Sequence, residues 1–199
     1  MSITWCRNLA GSFAGEELSW ERLVELAAGA PPGCDGLVFF PYMLGERRRE
    51  NTTARGGYFG ITLNHTAAHF ARAAMEAVAL AMGKDIEAFR ARGLPVKRIF
   101  SVGGGTRNDL LNAAKATVAG VPLEIADEPE AGLKGAALLG AAGVGLVDNP
   151  GRAAVERRRS TRTVEPDITA QDAYAAALYE FKRIYDHLLG FWMKGRHGD

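Results

Sequence analysis

RIFSVGGGTRNDLL, residues 98–111, is the stretch on which the fold turns. The run Val96 to Val102 is rich in β-branched and aromatic residues and predicts a strand that survives burial. Three glycines end it, and from Asn108 the pattern LLNAAKATVAG predicts a helix closing at Gly120. A strand that runs through glycines into a helix offers unblocked backbone N–H groups and a helix N-terminus. That arrangement receives phosphate or the flat face of a nucleotide, which makes Gly103 to Gly105 a candidate nucleotide subsite. The same glycines equally serve a sharp strand-to-helix turn with tight packing. Neither the P-loop pattern nor the G-x-G-x-x-G spacing is present, so the turn alone leaves both readings open.

Outward from the turn, VPLEIA is a second short strand, and EPEAGLKGAALLGAAGVG is a predicted helix of small residues suited to close packing against a sheet. GRAAVERRRSTRTVEPD reads as a charged, solvated connector. The terminal stretch ITAQDAYAAALYEFKRIYDHLLGFW places Tyr174, Leu178, Phe181, Ile184, Tyr185 and Leu188 at helical spacing. Upstream, residues 16–28 predict a short amphipathic helix. Leu37 to Phe40 predict a strand stopped by Pro41, with a long polar loop after it. Residues 66–82, TAAHFARAAMEAVALAM, predict a helix that packs tightly, and FRARGLPV reads as a surface turn. The order strand, glycine turn, helix, strand, small-residue helix is α/β. Two or three strands are few for a self-sufficient sheet.

Composition narrows the function classes. The 199 residues, 47% hydrophobic, suffice for a buried core of one domain or slightly more. The formal charge of +1 argues against a nucleic-acid or membrane-surface partner and for a small ligand. Cys6 and Cys34 are too few and too isolated for a disulfide framework or a metal site, which points to reduced thiols and a cytoplasmic protein. No apolar run approaches the roughly 20 residues of a membrane span. The N-terminus MSITWCRNLAG lacks the order of a signal peptide.

Three blocks, in order, carry a resemblance: GLVFFPYMLGER at 36–47, ARGGYFGITLNHTAAHFARAAMEAVA at 54–79, and SVGGGTRNDLLNAAKATVAGVPLEI followed by EAGLKGAALLGAAGVG. With them the chain resembles the C-terminal half of the FGGY family of carbohydrate kinases. The resemblance implies a ribonuclease-H-like domain of the actin-like ATPase type, one of two that close on a cleft. Residues 1–199 would be most of the second domain without its first strands, and the N-terminal sugar-binding domain would be absent. It further implies ATP with Mg²⁺, and a sugar substrate, a xylulose-like ketose foremost. The catalytic Asp would lie on the absent domain, leaving no catalytic residue and no metal ligand here. Carried over by position, Gly104 and Gly105 would lie along the adenosine, with Thr106, Asn108 and Asp109 near the base or ribose. The segment Gly60 to Ala68 would form the opposite wall, with Asn64 its polar contact.

Local chemistry gives several of these residues other work. Asn108 or Asp109 is equally a helix N-cap. Glu46 and Arg47 read as a buried ion pair pinning a loop, and Arg55 as a loop anchor that is also placed to meet phosphate. His69 reads as a satisfied core histidine with Glu76 as its hydrogen-bond partner on the same helix face. The run Arg47, Arg48, Arg49 departs from the family, where proline commonly follows Glu-Arg. The chain is then expected to be a fragment, one half of a split kinase that docks on a second polypeptide, or a truncated product. The alternative is a non-catalytic nucleotide-binding or interaction module, and a homodimer is the other assembly considered.

Overall fold

The computed structural model describes residues 2–46, 53–126, 130–156 and 160–194. Helices α1 (Ser2–Ala14) and α2 (Trp20–Ala28) precede an antiparallel pair of strands, β1 (Val38–Phe40) and β2 (Gly57–Phe59). The long helix α3 (Ala67–Arg90) leads to β3 (Ile99–Ser101), α4 (Asp109–Ala119) and β4 (Leu123–Ala126). Then come α5 (Ala131–Gly143), α6 (Pro150–Glu156), β5 (Ser160–Val164) and α7 (Gln171–Lys194). β3 and β4 pair in parallel and β5 joins β4 antiparallel, giving the sheet order β3-β4-β5. The α/β reading holds, with α4 as the crossover between the parallel strands.

α3 is the axis of the molecule. Its small residues let neighbours approach on all sides, and eleven of its residues are buried. α4 runs parallel to it: Asn108 meets Met75, Ala114 packs with Ala79, and the Arg90 guanidinium donates to the Ala119 carbonyl at 2.7 Å. That last bond, with Ile86 buried against Ala119, carries α3 on through Phe89 and Arg90. The stretch FRARGLPV is therefore partly helix, and the surface turn starts only after Arg90.

β1 shows the two-residue period of a strand covered on both faces. Val38 and Phe40 join the cluster of Phe181, Tyr185 and Trp192 from α7, with the Phe40 and Phe181 ring centroids 4.5 Å apart. Leu37 and Phe39 face the other way, against α3 and Tyr58 of β2, whose ring lies 4.4 Å from that of Phe39. α1 was not foreseen. It buries Cys6 and Gly11 and stacks Trp5 on Phe39.

Two expectations fail in the last third. The stretch read as a connector holds α6 and β5, because charge hid its alternation: Val164 lies opposite Leu123 and packs on it, whereas Arg162 lies opposite Ile125. α5 forms as predicted, but none of its residues is buried and it contacts α6 rather than a sheet. Small residues permit close packing; they do not supply the partner.

Candidate functional site

The glycine turn joins the end of β3 to α4 and is fixed by its own atoms. Gly103 adopts φ 86°, ψ −178°, a backbone open to glycine and strained for other residues. Its carbonyl accepts from both the N–H and the Oγ1 of Thr106, at 3.1 and 2.7 Å. Gly104 and Gly105 are different. A methyl group on Gly104 would meet no atom within 4 Å, and one on Gly105 only Leu111 Cδ2 at 3.7 Å. Packing thus requires glycine at neither position, and the space over the two backbones is open.

Asn108 is the N-cap of α4, its Oδ1 accepting from Leu111 N at 3.0 Å while its Nδ2 points to Met75 Sδ at 3.4 Å. Its amide is spent on holding α4 against α3. Asp109 pairs on the surface with Arg162 of β5. Asn112 Nδ2 reaches back to the Thr106 carbonyl at 2.8 Å from a fully buried position. Neither Asn112 nor Arg162 stood out in the sequence, since one lies among alanines and the other in a charge run. Lys115 Nζ donates to Ser101 Oγ at 3.4 Å at the end of β3, and burial lowers its pKa.

The parallel packing places Asn108 beside Met75, so α3 extends about 12 Å past the start of α4, at 1.5 Å per residue from Ala67 to Met75. Asn64 sits in the exposed turn before α3, on that overhanging end, with its N–H on Thr62 Oγ1 at 3.4 Å. It shares no hydrogen bond with the glycine turn among the described residues. Gly104, Gly105, Thr106, Asn108 and Asp109 do form one body.

The pairing of His69 with Glu76 is corrected. His69 Nδ1 accepts from Thr66 N at 3.1 Å and its Nε2 lies 3.1 Å from Asp35 Oδ2. Glu76 turns the other way and is saturated, by Arg72 Nε at 2.6 Å and the Tyr174 hydroxyl at 2.8 Å on one oxygen, and by Gly33 N and Cys34 Sγ on the other. Those bonds hold a left-handed turn in which Cys34 and Asp35 have φ 52° and 49°. The turn presents the Asp35 carboxyl outward to His69.

Arg47, Arg48 and Arg49 lie outside the described residues. Glu46 is buried and has other partners, Lys84 Nζ at 2.9 Å and the Tyr185 hydroxyl, with the Lys84 ammonium 3.5 Å from the centre of the Tyr185 ring. The loop-pinning role expected of Glu46 is met by α3 and α7. Arg55 Nη1 donates to the Ala54 carbonyl at 3.0 Å. Cys6 and Cys34 are buried free thiols, and burial raises the pKa of both. Among the described residues no group of three or more His, Cys, Asp or Glu side chains is placed to hold a metal ion, and no helix is long and apolar enough to cross a membrane. A groove of about 570 Å³ between α1 and α2 is lined by Arg7, Asn8, Ser12 and Glu17, and among the described residues its one cation, Arg7, is paired with Asn8 and Glu17.

Known proteins resemble the chain throughout. Residues 2–144 match the family model described as the FGGY family of carbohydrate kinases, C-terminal domain. A xylulose kinase of Bacillus subtilis (strain 168) is 29% identical over 94% of this chain and 37% of its own. An L-fuculokinase of Escherichia coli O157:H7 is 34% identical over 74% of this chain and 29% of its own. The crystal structure of xylulose kinase from Rhodospirillum rubrum superposes with a TM-score of 0.78 at 32% identity, covering 96% of this chain and 38% of the other. The chain spans between 29% and 38% of the length of these relatives.

Proposed function

This chain belongs to the FGGY family of carbohydrate kinases, and from that membership we propose that it forms the nucleotide-side part of an ATP-dependent sugar kinase. Residues 1–199 then correspond to an incomplete second domain. The sugar-binding domain and its catalytic Asp belong to the remaining two thirds, supplied by a polypeptide beyond these residues. A xylulose-like ketose is the favoured acceptor, since xylulose kinases recur among the relatives.

One observation carries the reading. Of three consecutive glycines only Gly103 has a conformational need to be glycine, so the missing side chains at Gly104 and Gly105 leave room for a ligand rather than for the protein. Bound there, ATP would supply the phosphoryl group, and Mg²⁺ would enter on its phosphates. Gly104 and Gly105 lie along the adenosine. Thr106 holds the turn closed through Gly103, and Asn108 acts as a positioning residue by anchoring α4. Asp109 reaches the ribose or base edge from the surface, and Asn64 closes the far wall. Closure of the two domains excludes water, so that transfer goes to a sugar hydroxyl.

Calorimetric titration of the folded chain with ADP and then ATP, in the presence of Mg²⁺, tests the site. Saturable binding by wild type and its loss in Gly105→Val is the expected result. A Cβ at this position makes only ordinary contact, with Leu111 Cδ2 at 3.7 Å, and the circular dichroism of the variant checks that the fold is kept. Unchanged affinity in Gly105→Val, with helical content intact, overturns the assignment of the turn.

A further inference from the structure

The stretch TLNHTAAH, residues 62–69, contains the pattern Thr-x-x-His twice, and both copies make the same bond. Thr62 N donates to His65 Nδ1 at 2.9 Å and Thr66 N donates to His69 Nδ1 at 3.1 Å, with the two rings 5.3 Å apart. A backbone N–H cannot reverse its role. Each Nδ1 is therefore the bare acceptor nitrogen, and each proton sits on Nε2. The same fact rules out both rings as ordinary metal ligands, since a ligating histidine donates a proton from its other nitrogen.

We propose that these two histidines are an acid-released clasp on the segment Gly60 to Thr66. Protonation puts a hydrogen on Nδ1, and the amide N–H of Thr62 or Thr66 then faces another donor. The threonine hydroxyls, at 3.4 and 3.0 Å from the same nitrogens, can turn to accept; the amides lose their partner. Asp35, from the left-handed turn, accepts the Nε2 proton of His69 in either charge state, so it keeps that ring in place while the amide is freed. The other groups that face this end of α3 do not compete. Arg72 and Glu76 are paired with each other, burial raises the Tyr58 pKa and its hydroxyl donates to the Phe70 carbonyl, and the end of α2 brings Gly29, which has no side chain, against Ala68.

The clasp has a load to hold. Ile61 and Leu63 point outward at 59% and 105% exposure, so burial does not restrain the segment. Gly60 is pinned behind it, its φ at 82° and its Cα so close to the Gly36 carbonyl that a methyl group would lie 2.8 Å away. Between Gly60 and α3 the two histidine bonds, at 2.9 and 3.1 Å, are shorter than the bonds His65 N–H and Asn64 N–H make to Thr62, at 3.3 and 3.4 Å. Asn64 rides on the segment, so acid also weakens nucleotide binding; this clause alone rests on the function proposed above.

Amide hydrogen exchange on the ¹⁵N-labelled chain tests the clasp, compared at about pH 7.5 and about pH 5.5, either side of the histidine range. The protection factors of Thr62 and Thr66 are expected to fall roughly tenfold at the lower pH, the loss of one hydrogen bond each. In the double variant His65→Asn, His69→Asn the side-chain oxygen keeps the acceptor without titrating, and protection stays constant. Imidazole ¹⁵N spectra at the higher pH should place both protons on Nε2. Wild-type protection that does not change, an equal fall in the asparagine variant, or a proton on Nδ1 overturns the clasp. ADP titration at both pH values reads the nucleotide clause separately: absence of binding at either pH defeats the nucleotide site and leaves the clasp to the exchange data.

Discussion

α3 and α5 are written in nearly the same alphabet. AAHFARAAMEAVALAMGK and AGLKGAALLGAAG are both built of alanine, glycine and leucine, yet eleven residues of α3 are buried and none of α5. The difference lies in the few large and polar residues set among the small ones. On α3, Arg72, Glu76 and Lys84 reach partners on the left-handed turn, α7 and the loop after β1. The small residues between them become contact surfaces for α1, α2, β1, α4 and α7. On α5 the apolar residues Leu133 and Leu139 stand 68% and 66% exposed. Small residues are permission to pack closely; anchors decide where the permission is used.

The largest test of that contrast removes an anchor. Glu76→Ala strips the acceptor from Arg72, Tyr174, Gly33 and Cys34 at once and leaves the Arg72 guanidinium, whose side chain is 11% exposed, without its counter-charge. Losing one partner of such a buried pair costs about 3–5 kcal/mol. Denaturant unfolding should show a midpoint lowered accordingly, together with loss of the left-handed turn at Asp35. A midpoint within error of wild type would mean that the alanines alone hold α3.

How much of this was legible follows the same division. The β3, glycine turn and α4 unit could be read because each step has a local cause: β-branched residues, a positive φ, an Asn cap. α7 was legible from its aromatic spacing. α1 was not, since SITWCRNLAGSFA has an interior glycine and only two buried residues to set a pattern. β5 was hidden because only Val164 brings an apolar side chain to the sheet's cluster among the described residues, and a run of arginines looks solvated whatever the backbone does. In the candidate site, the glycines and Asn108 declared themselves, whereas Arg162 and Asn112 contribute only after distant segments meet. The His69 partner failed for the same reason. Helical spacing offered Glu76, but Glu76 is bonded to Gly33 of the left-handed turn, and it is that turn which brings Asp35 to His69.

The next test uses one substitution at a packed site. Gly83 lies where α3, α4 and α7 touch, and a Cβ there would stand 2.4 Å from Val118 Cγ1 and 3.3 Å from Leu178. Val118 is β-branched and stiff in a helix, so the neighbours must move. Overpacking costs about 1–3 kcal/mol and the gain in helix propensity returns about 1, so Gly83→Ala should destabilise by about 1 kcal/mol. Chemical denaturation resolves that, and a stabilised variant would show that the α3 seam is looser than its contacts indicate.

The smallest effect is the sharpest, because its sign reverses. Gly135 sits in mid-helix on α5, and a methyl group there would meet no atom within 4 Å. Only the intrinsic term remains. Glycine loses more backbone freedom than alanine on entering a helix, so Gly135→Ala should stabilise α5 by up to about 1 kcal/mol. Amide exchange along Ala131–Gly143 is the right readout, since α5 contacts only α6 strongly and can open without the rest of the molecule. Slower exchange there, with the global midpoint almost unmoved, confirms that its glycines serve no contact in this chain. A faster exchange would mean that α5 is pressed against another surface in solution, and α5 would then join α3 as a packed helix. Repeated in the presence of the sugar-binding half proposed above, the same substitution should turn destabilising if the small residues of α5 are the surface on which that half closes.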